Sequence, residues 1–233
     1  MAVFQHVSPA LAVDLAILSA GEGGLRAVFA RRDDADAVGG AWALPGGFVT
    51  EGQGPDARVA EVLQTKTGLT GVHFEQLATY GAPDRDPRGH VVSITYLALV
   101  PEAVLRPQVE AAPDLTLAQV DVDWPGETGG PATAVGPAGA LDLAFDHDVI
   151  LGDAVKRLRG KLDYTPIGFA FLPPRFTLRD AQTVHEAVLG GPLNKPAFRR
   201  KLLDRHALRP TGERESGGAF RPAELYERQI EKA

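Results

Sequence analysis

The segment Gly46-Gly47-Phe48-Val49-Thr50-Glu51-Gly52-Gln53, continued to Thr67-Gly68-Leu69, has the outline of a loop-helix-loop that holds a divalent cation on a pyrophosphate. Such a site spaces carboxylates at i, i+3 and i+4, so that hard oxygen ligands share one helix face. The metal then clamps the phosphates and activates water. With Gly47 and Gly68 as fixed ends, the four positions that this chemistry needs acidic hold Gln53, Val62, Thr65 and Lys66, and the arginine position holds Glu61. An isopropyl group, a hydroxyl and an ammonium thus replace carboxylates on one face, and Lys66 repels metal. Glu51 and Glu61 are acidic at the wrong positions. The expectation is no catalytic residue, no metal ligand and no cofactor, with Gly46 and Gly47 kept as part of a binding shell.

A diphosphate ligand of a nucleotide needs cations and an aromatic surface. Arg85 and Arg88 lie in the Pro-broken stretch Pro83-Asp84-Arg85-Asp86-Pro87-Arg88-Gly89-His90 and offer bidentate phosphate contacts. Arg32 ends a strand facing the same region. Phe48, Tyr80 and Tyr96 are candidates for stacking on a base. The competing readings are ion pairing of the arginines with Asp84 and Asp86, and core packing of the aromatics.

A second group of residues points to a polyanion. Thr177 with Asp180 three residues on forms a capping box, with Phe176 stapling to Ala181. Ala181, Val184 and Val188 form an apolar stripe, and Gly190-Gly191 ends the helix. Asn194 caps the next helix, whose Phe198, Leu202 and Leu203 face inward. Lys195, Arg199 and Arg200 face away, with Lys201 beside them. Arg209 to Glu213 and Ala223 to Tyr226 then read as short strands around a turn that carries Arg221. Helix, turn, helix and two-stranded wing is the order of a winged helix, which lays its second helix in the DNA major groove. The candidate DNA contacts are Asn194, Lys195, Arg199, Arg200, Lys201 and Arg221. A basic helical cap that only dimerises the chain is the competing reading.

Charge and composition agree with two parts. Of 233 residues, 44% are hydrophobic, enough for a packed core. The net charge of −6 divides unevenly. Residues 1–150 carry 8 Lys and Arg against 20 Asp and Glu, a balance of −12, and residues 151–233 carry 16 against 10, a balance of +6. The absence of cysteine removes disulfide, thiolate and zinc-cysteine chemistry. Leu11 to Ala20 is short, contains Asp14 and follows no basic stretch, so it reads as a strand and not a signal peptide. No run reaches the length of a membrane span, and a cytoplasmic location is expected.

The elements that must position these groups follow from the pattern. Val13 to Leu18 and Leu25 to Ala30 read as a hairpin, and Ala41 to Val49 as extended. Pro55 and Gly68 bracket a helix over residues 55–67. Phe74 to Tyr80, Val91 to Val100 and Gln119 to Trp124 read as strands. Residues 125–140 are Gly-, Pro- and Ala-rich and read as a mobile surface loop. Asp146 is placed to cap a linking helix that buries Leu151, Ala154, Val155 and Leu158, with Lys156, Arg157 and Arg159 off that face.

The box resembles that of the Nudix family, G-x5-E-x7-R-E-U-x-E-E-x-G-U with U aliphatic, with Trp42-Ala43-Leu44-Pro45-Gly46-Gly47-Phe48 upstream as a further match. Nearly the whole chain resembles the Nudix-related transcriptional regulators of NAD metabolism, the NrtR type. Besides the box, Pro83 to His90, Leu158-Arg159-Gly160-Lys161-Leu162-Asp163-Tyr164-Thr165 and Phe198-Arg199-Arg200-Lys201-Leu202-Leu203 carry that likeness. The resemblance implies an α/β class: a Nudix α/β/α sandwich with a mixed sheet over 1–145, a linker helix over 146–162 and a winged helix over 163–233. It further implies a homodimeric repressor that binds double-stranded operator DNA and releases it on binding ADP-ribose or a related nucleotide. The departure from the acidic box argues against hydrolysis and leaves ligand binding open. The alternatives are a Nudix pyrophosphatase that uses Glu51, Glu61 or an outside acid for metal, and a metabolite-binding adaptor without DNA.

Overall fold

The computed structural model describes residues 8–33, 40–206, 208–215 and 222–228. A nine-stranded sheet carries the N-terminal two thirds. It comprises β1 (Ala10–Gly21), β2 (Gly24–Arg31), β3 (Trp42–Ala43), β4 (Gly46–Phe48), β5 (Phe74–Tyr80), β6 (Val91–Leu99), β7 (Leu115–Asp121), β8 (Thr133–Gly136) and β9 (Gly139–Ala140). The main order is β5-β6-β1-β2-β7-β8-β9, with β3 on β2 and β4 on β1. The pairing of β1 with β6 is parallel and the others are antiparallel, so the sheet is mixed.

Strand pleat divides the core. Val13, Leu15 and Ile17 of β1 face α1 (Pro55–Thr67) and α2 (Glu102–Ala111), where Val59, Val62, Leu63 and Leu105 meet them. Ala16, Leu18 and Ala20 point the other way, into a cluster with Ile150, Leu151, Ala154 and Leu158 of α3 (His147–Leu162). A strand buried on both faces explains the unbroken apolar run of β1. Helices on both faces make the α/β/α sandwich.

The C-terminal part follows a 3-10 turn over Ile167–Phe171: β10 (Arg175–Thr177), α4 (Leu178–Leu189), α5 (Lys195–Arg205), β11 (Leu208–Arg214) and β12 (Glu224–Arg228). The three strands pair in the order β10-β12-β11, which gives the wing and its third strand. The capping box forms on both sides: Asp180 N–H donates to Thr177 Oγ1 at 3.1 Å and Thr177 N–H to Asp180 Oδ2 at 2.8 Å. Gly190, at φ 76, ends α4 in the left-handed region that glycine enters without strain. Asn194 Oδ1 accepts from Ala197 N–H at 3.1 Å and starts α5. The apolar cluster under β1 runs without a break through α3 to Phe169, Phe176, Val184 and Leu202.

Several sequence expectations are corrected. Residues 125–140 contain the β8–β9 hairpin, with Ala132 and Ala134 buried beside Trp124, in place of a mobile loop. The small residues there serve close packing: a Cβ on Gly152 of α3 would collide with the Gly130 carbonyl. The strand expected at Gln119 to Trp124 is β7, earlier by several residues. Helix α2 has no sequence reading above, since Pro101 at its N-cap and Pro107 inside it interrupt the pattern. Asp146 occupies the N-cap position of α3 but makes no capping bond. Its carboxylate is taken by Arg85.

Candidate functional site

A cavity of about 300 Å³ opens where β1, β2, β4, the Pro83–His90 stretch and the start of α3 converge. Gly46, Gly47 and Phe48 line it, as do Arg32, Arg85 and Arg88. Six of the seven residues expected to hold a ligand are therefore brought together. Tyr96 is not. Parallel register sets it beside Leu15, on the α1 and α2 face of the sheet. There its ring meets Phe74 edge to face and its hydroxyl donates to Asp56 at 2.6 Å. Burial, then the bond to Asp56, pushes its pKa up to about 12. Tyr80 likewise is outside the cavity wall and donates to Asp153 at 2.7 Å.

Close approach of backbone shapes the cavity floor. A Cβ on Gly46 would strike Asp14 Oδ1 and the Val13 carbonyl, whereas one on Gly47 would meet only the movable end of Arg58. Gly46→Ala is therefore expected to lower the unfolding free energy by about 1–3 kcal/mol, read from urea melts at constant slope. Gly47→Ala should stay near the wild type, and equal stability of both variants would contradict this packing.

Behind the floor stands a polar group that sequence did not single out. Ser93 Oγ donates to Asp14 Oδ2 at 2.6 Å, with His147 Nε2 and Arg85 Nη2 each 3.7 Å from the same oxygen. The Leu44 N–H donates to His147 Nδ1 at 2.9 Å, which turns Nε2 with its proton toward Asp14. Burial pushes the Asp14 pKa up, but His147, Ser93 and Arg85 together hold it below the ordinary carboxylate value. Arg85 grips Asp146 with Nε to Oδ2 at 2.9 Å and Nη2 to Oδ1 at 2.6 Å. This is a bidentate pair of the strong kind, so Arg85 reaches the cavity with two donors already committed.

The mouth is aromatic and cationic. Phe48 is 43% exposed. Arg88 lies 5.6 Å from the Phe48 ring and 5.3 Å from that of Phe145, and Arg32 lies 4.5 Å from Phe145. Arg32 also donates to the Gly40 carbonyl at 2.9 Å, and Arg88 holds Asp86 by Nε at 3.0 Å and Nη2 at 2.8 Å. Phe145 was missed by sequence reasoning. At φ 59 it is the described non-glycine residue with positive φ, a conformation that costs on the order of 1–3 kcal/mol and gathers at functional sites. Among the described residues the wall carries five cationic side chains against three carboxylates, a balance suited to an anion.

Of the four positions where a metal site would be acidic, Lys66 is the one in the wall. Val62 is buried in the core, 1% exposed, and Thr65 Oγ1 donates to the Glu61 carbonyl at 2.7 Å. Of these three, Lys66 is the one whose side chain meets the cavity. Glu61 accepts from Gln53 Nε2 at 2.7 Å and from Arg58 at 2.9 Å.

On the C-terminal part, Lys195 and Arg200 are exposed on α5, and Arg199 is half-buried. Lys201 pairs with Asp163 at 2.7 Å. Arg221 lies outside the described residues.

Residues 168–227 match the family of the NrtR DNA-binding winged helix domain. Over 224 residues the chain is 34% identical to the ADPR responsive transcriptional repressor NtrR of Acinetobacter baylyi, covering 95% of this chain and 83% of the relative. This chain belongs to the NrtR family. The crystal structure of Shewanella oneidensis NrtR complexed with a 27mer DNA matches the NrtR fold seen here at TM-score 0.75 and 29% identity, covering 94% of this chain and 93% of that one. An ADP-ribose pyrophosphatase of Methanocaldococcus jannaschii is 32% identical over 122 residues, 52% of this NrtR chain and 61% of the relative.

The join between the two parts of this NrtR protein centres on Arg159. It was expected off the buried face of α3, yet it is 8% exposed. Its Nε donates to the Val188 carbonyl in the last turn of α4 at 3.0 Å, and Nη1 to the carbonyls of Trp124 at 3.2 Å and Gly126 at 3.0 Å. Its guanidinium also lies 4.9 Å from the Trp124 ring. Three carbonyls and a ring face satisfy a charge that burial would otherwise penalise.

Proposed function

We propose that this protein is a transcriptional repressor that binds operator DNA through its winged helix and releases it when ADP-ribose or a related nucleotide enters the Nudix-type cavity. The observation that carries this reading is the course of α3. Phe145 and His147 at its start line the cavity, Asp146 between them holds Arg85 of the cavity wall, and Arg159 near its end holds α4. A ligand that moves Phe145 or loosens the Arg85–Asp146 pair thus acts on the helix that carries the DNA-binding part. The Acinetobacter repressor supports both roles by its name, and the Shewanella NrtR supports DNA binding.

The sensor spans 1–145, the linker 146–162 and the DNA-binding part 163–233. Asn194, Lys195, Arg199, Arg200, Lys201 and Arg221 form the DNA surface of a homodimer, each winged helix reading one half-site. Arg32, Gly46, Gly47, Phe48, Arg85 and Arg88 hold the ligand. The protein works where the chromosome is, in the cytoplasm. No helix among the described residues is long and apolar enough to cross a membrane.

The Nudix-type part does not hydrolyse its ligand. A divalent metal does not fit the donors at the box, since Gln53, Val62, Thr65 and Lys66 offer no carboxylate. The pyrophosphatase likeness over 122 residues makes hydrolysis the second reading.

Fluorescence anisotropy on a duplex from the protein's own promoter tests the first. Tighter binding than to a random duplex, and release by ADP-ribose, is expected. No preference for any native promoter would contradict it. ADP-ribose turnover with Mg²⁺ or Mn²⁺ that vanishes in Glu61→Gln would favour the second.

A further inference from the structure

We propose that the Lys66 side chain takes the place of the divalent cation, so that the cavity binds the diphosphate of its nucleotide ligand without metal. The proposal rests on the reading of the cavity as a nucleotide site. Lys66 sits in the last turn of α1, two residues before the glycine that ends it, and its side chain forms cavity wall with Gly46 and Gly47. This is the wall against which a metal-dependent relative would hold its cation. An ammonium on such a wall offers three donors and a full positive charge to phosphate oxygens.

Two of the three carboxylates in the wall are occupied, and the third, Asp33, makes no set of ligands by itself. Asp14 accepts from Ser93 and stands beside His147 and Arg85, and Asp86 is gripped by Arg88. On α1 itself, Glu61 is closed off by Gln53 and Arg58. Among the described residues no three His, Cys, Asp or Glu side chains converge on one point. A divalent ion would therefore meet Lys66 without a set of open ligands to offset the repulsion.

The charges facing Lys66 suit an anion between them. Burial and then Arg58 lower the Lys66 pKa, while Asp14 and Asp33 raise it. Arg32, Arg85 and Arg88 stand in the same wall as Lys66, so a phosphate held there draws on several positive charges. Lys66 is solvent-accessible although the cavity wall crowds it, and it belongs to neither apolar cluster, so its replacement leaves the core untouched.

The test is calorimetry of ADP-ribose on the full chain in EDTA and in excess Mg²⁺. The wild type is expected to bind equally in both, within twofold. Lys66→Gln should lose tenfold or more in both buffers, Lys66→Arg should keep most of the affinity, and Lys66→Glu should bind no measurable ligand in EDTA. Thermal melts of the three variants, expected to match the wild type, exclude unfolding as the cause. Wild-type affinity that falls tenfold in EDTA, or Lys66→Gln binding as the wild type does, overturns this proposal and leaves the nucleotide reading intact. Absence of ADP-ribose binding by the wild type in both buffers overturns the two together.

Discussion

Arg159→Met is expected to lower the unfolding free energy by about 3 kcal/mol and to abolish the ADP-ribose response of the DNA complex. Methionine keeps much of the stem that packs among the neighbours but removes every donor. The carbonyls of Val188, Trp124 and Gly126 would then lose their common partner. The first effect is a local loss of charge-assisted hydrogen bonds. The second follows because Arg159 ties α3 to the end of α4, and α4 with α5 forms the DNA-binding pair. A lysine in its place keeps the charge but lacks the fork that reaches three acceptors, so Arg159→Lys should fall between. Urea unfolding, together with anisotropy on promoter DNA with and without ligand, reads both effects. A Met variant with wild-type stability and full release by ADP-ribose would show that the join is elsewhere.

The double substitution of Lys195 and Arg200 by alanine is expected to weaken binding to every duplex and to flatten the dependence of log affinity on log salt by about 0.9 per lost phosphate contact. Both side chains are exposed on α5, Lys195 at the end whose N–H groups favour phosphate and Arg200 in the middle of the helix. Lys201 offers a contrast, since its ammonium is already paired with Asp163 at 2.7 Å. Lys201→Ala should therefore change the salt slope less than either of the other two. Arg199 is half-buried, and its Nε meets no hydrogen-bond acceptor among the described residues. If Arg199 reads a base edge, its alanine variant relaxes preference at one position by roughly 1–3 kcal/mol. Salt titrations on promoter and random duplexes separate these cases. An unchanged slope in the double variant would place the DNA surface off α5.

Local signals carried much of the fold into the sequence. Pro55 and Gly68 fix α1 at both ends, and Thr177 with Asp180 fixes the start of α4, because capping is decided within a few residues. Strand β1 was legible but shorter than observed, since apolarity does not mark where pairing stops. What failed depends on distant partners. No local pattern says that Arg159 will find carbonyls 33, 35 and 29 residues away and so become buried. Tyr96 and Phe48 are both aromatic on strands. The register of β6 on β1 decides that Tyr96 faces α1 and α2, and that of β4 on β1 leaves Phe48 open at the cavity. Phe145 gave no signal because its backbone conformation is imposed by its neighbours. Glycine and proline over 125–140 suggested a mobile loop, yet the glycines near Trp124 allow tight packing, and α2, which carried no sequence reading, tolerates Pro107. The arginines at 85 and 88 both line the cavity, and both are held in ion pairs, Arg88 with the Asp86 that the sequence offered as its competing partner. Their partners Asp146 and Asp86 differ in reach, since one is supplied 61 residues away and the other by the residue two before.

The linkage between ligand and DNA is open to one direct measurement: ADP-ribose affinity by calorimetry, on the free protein and on the protein saturated with its promoter duplex. If ligand and DNA act through one equilibrium of the α3 join, DNA must weaken ADP-ribose binding by the same factor by which ADP-ribose weakens DNA binding. The expected result is a reduction of tenfold or more that matches the shift seen in the anisotropy titration. Equal ADP-ribose affinity with and without DNA would contradict a repressor governed by its Nudix-type cavity.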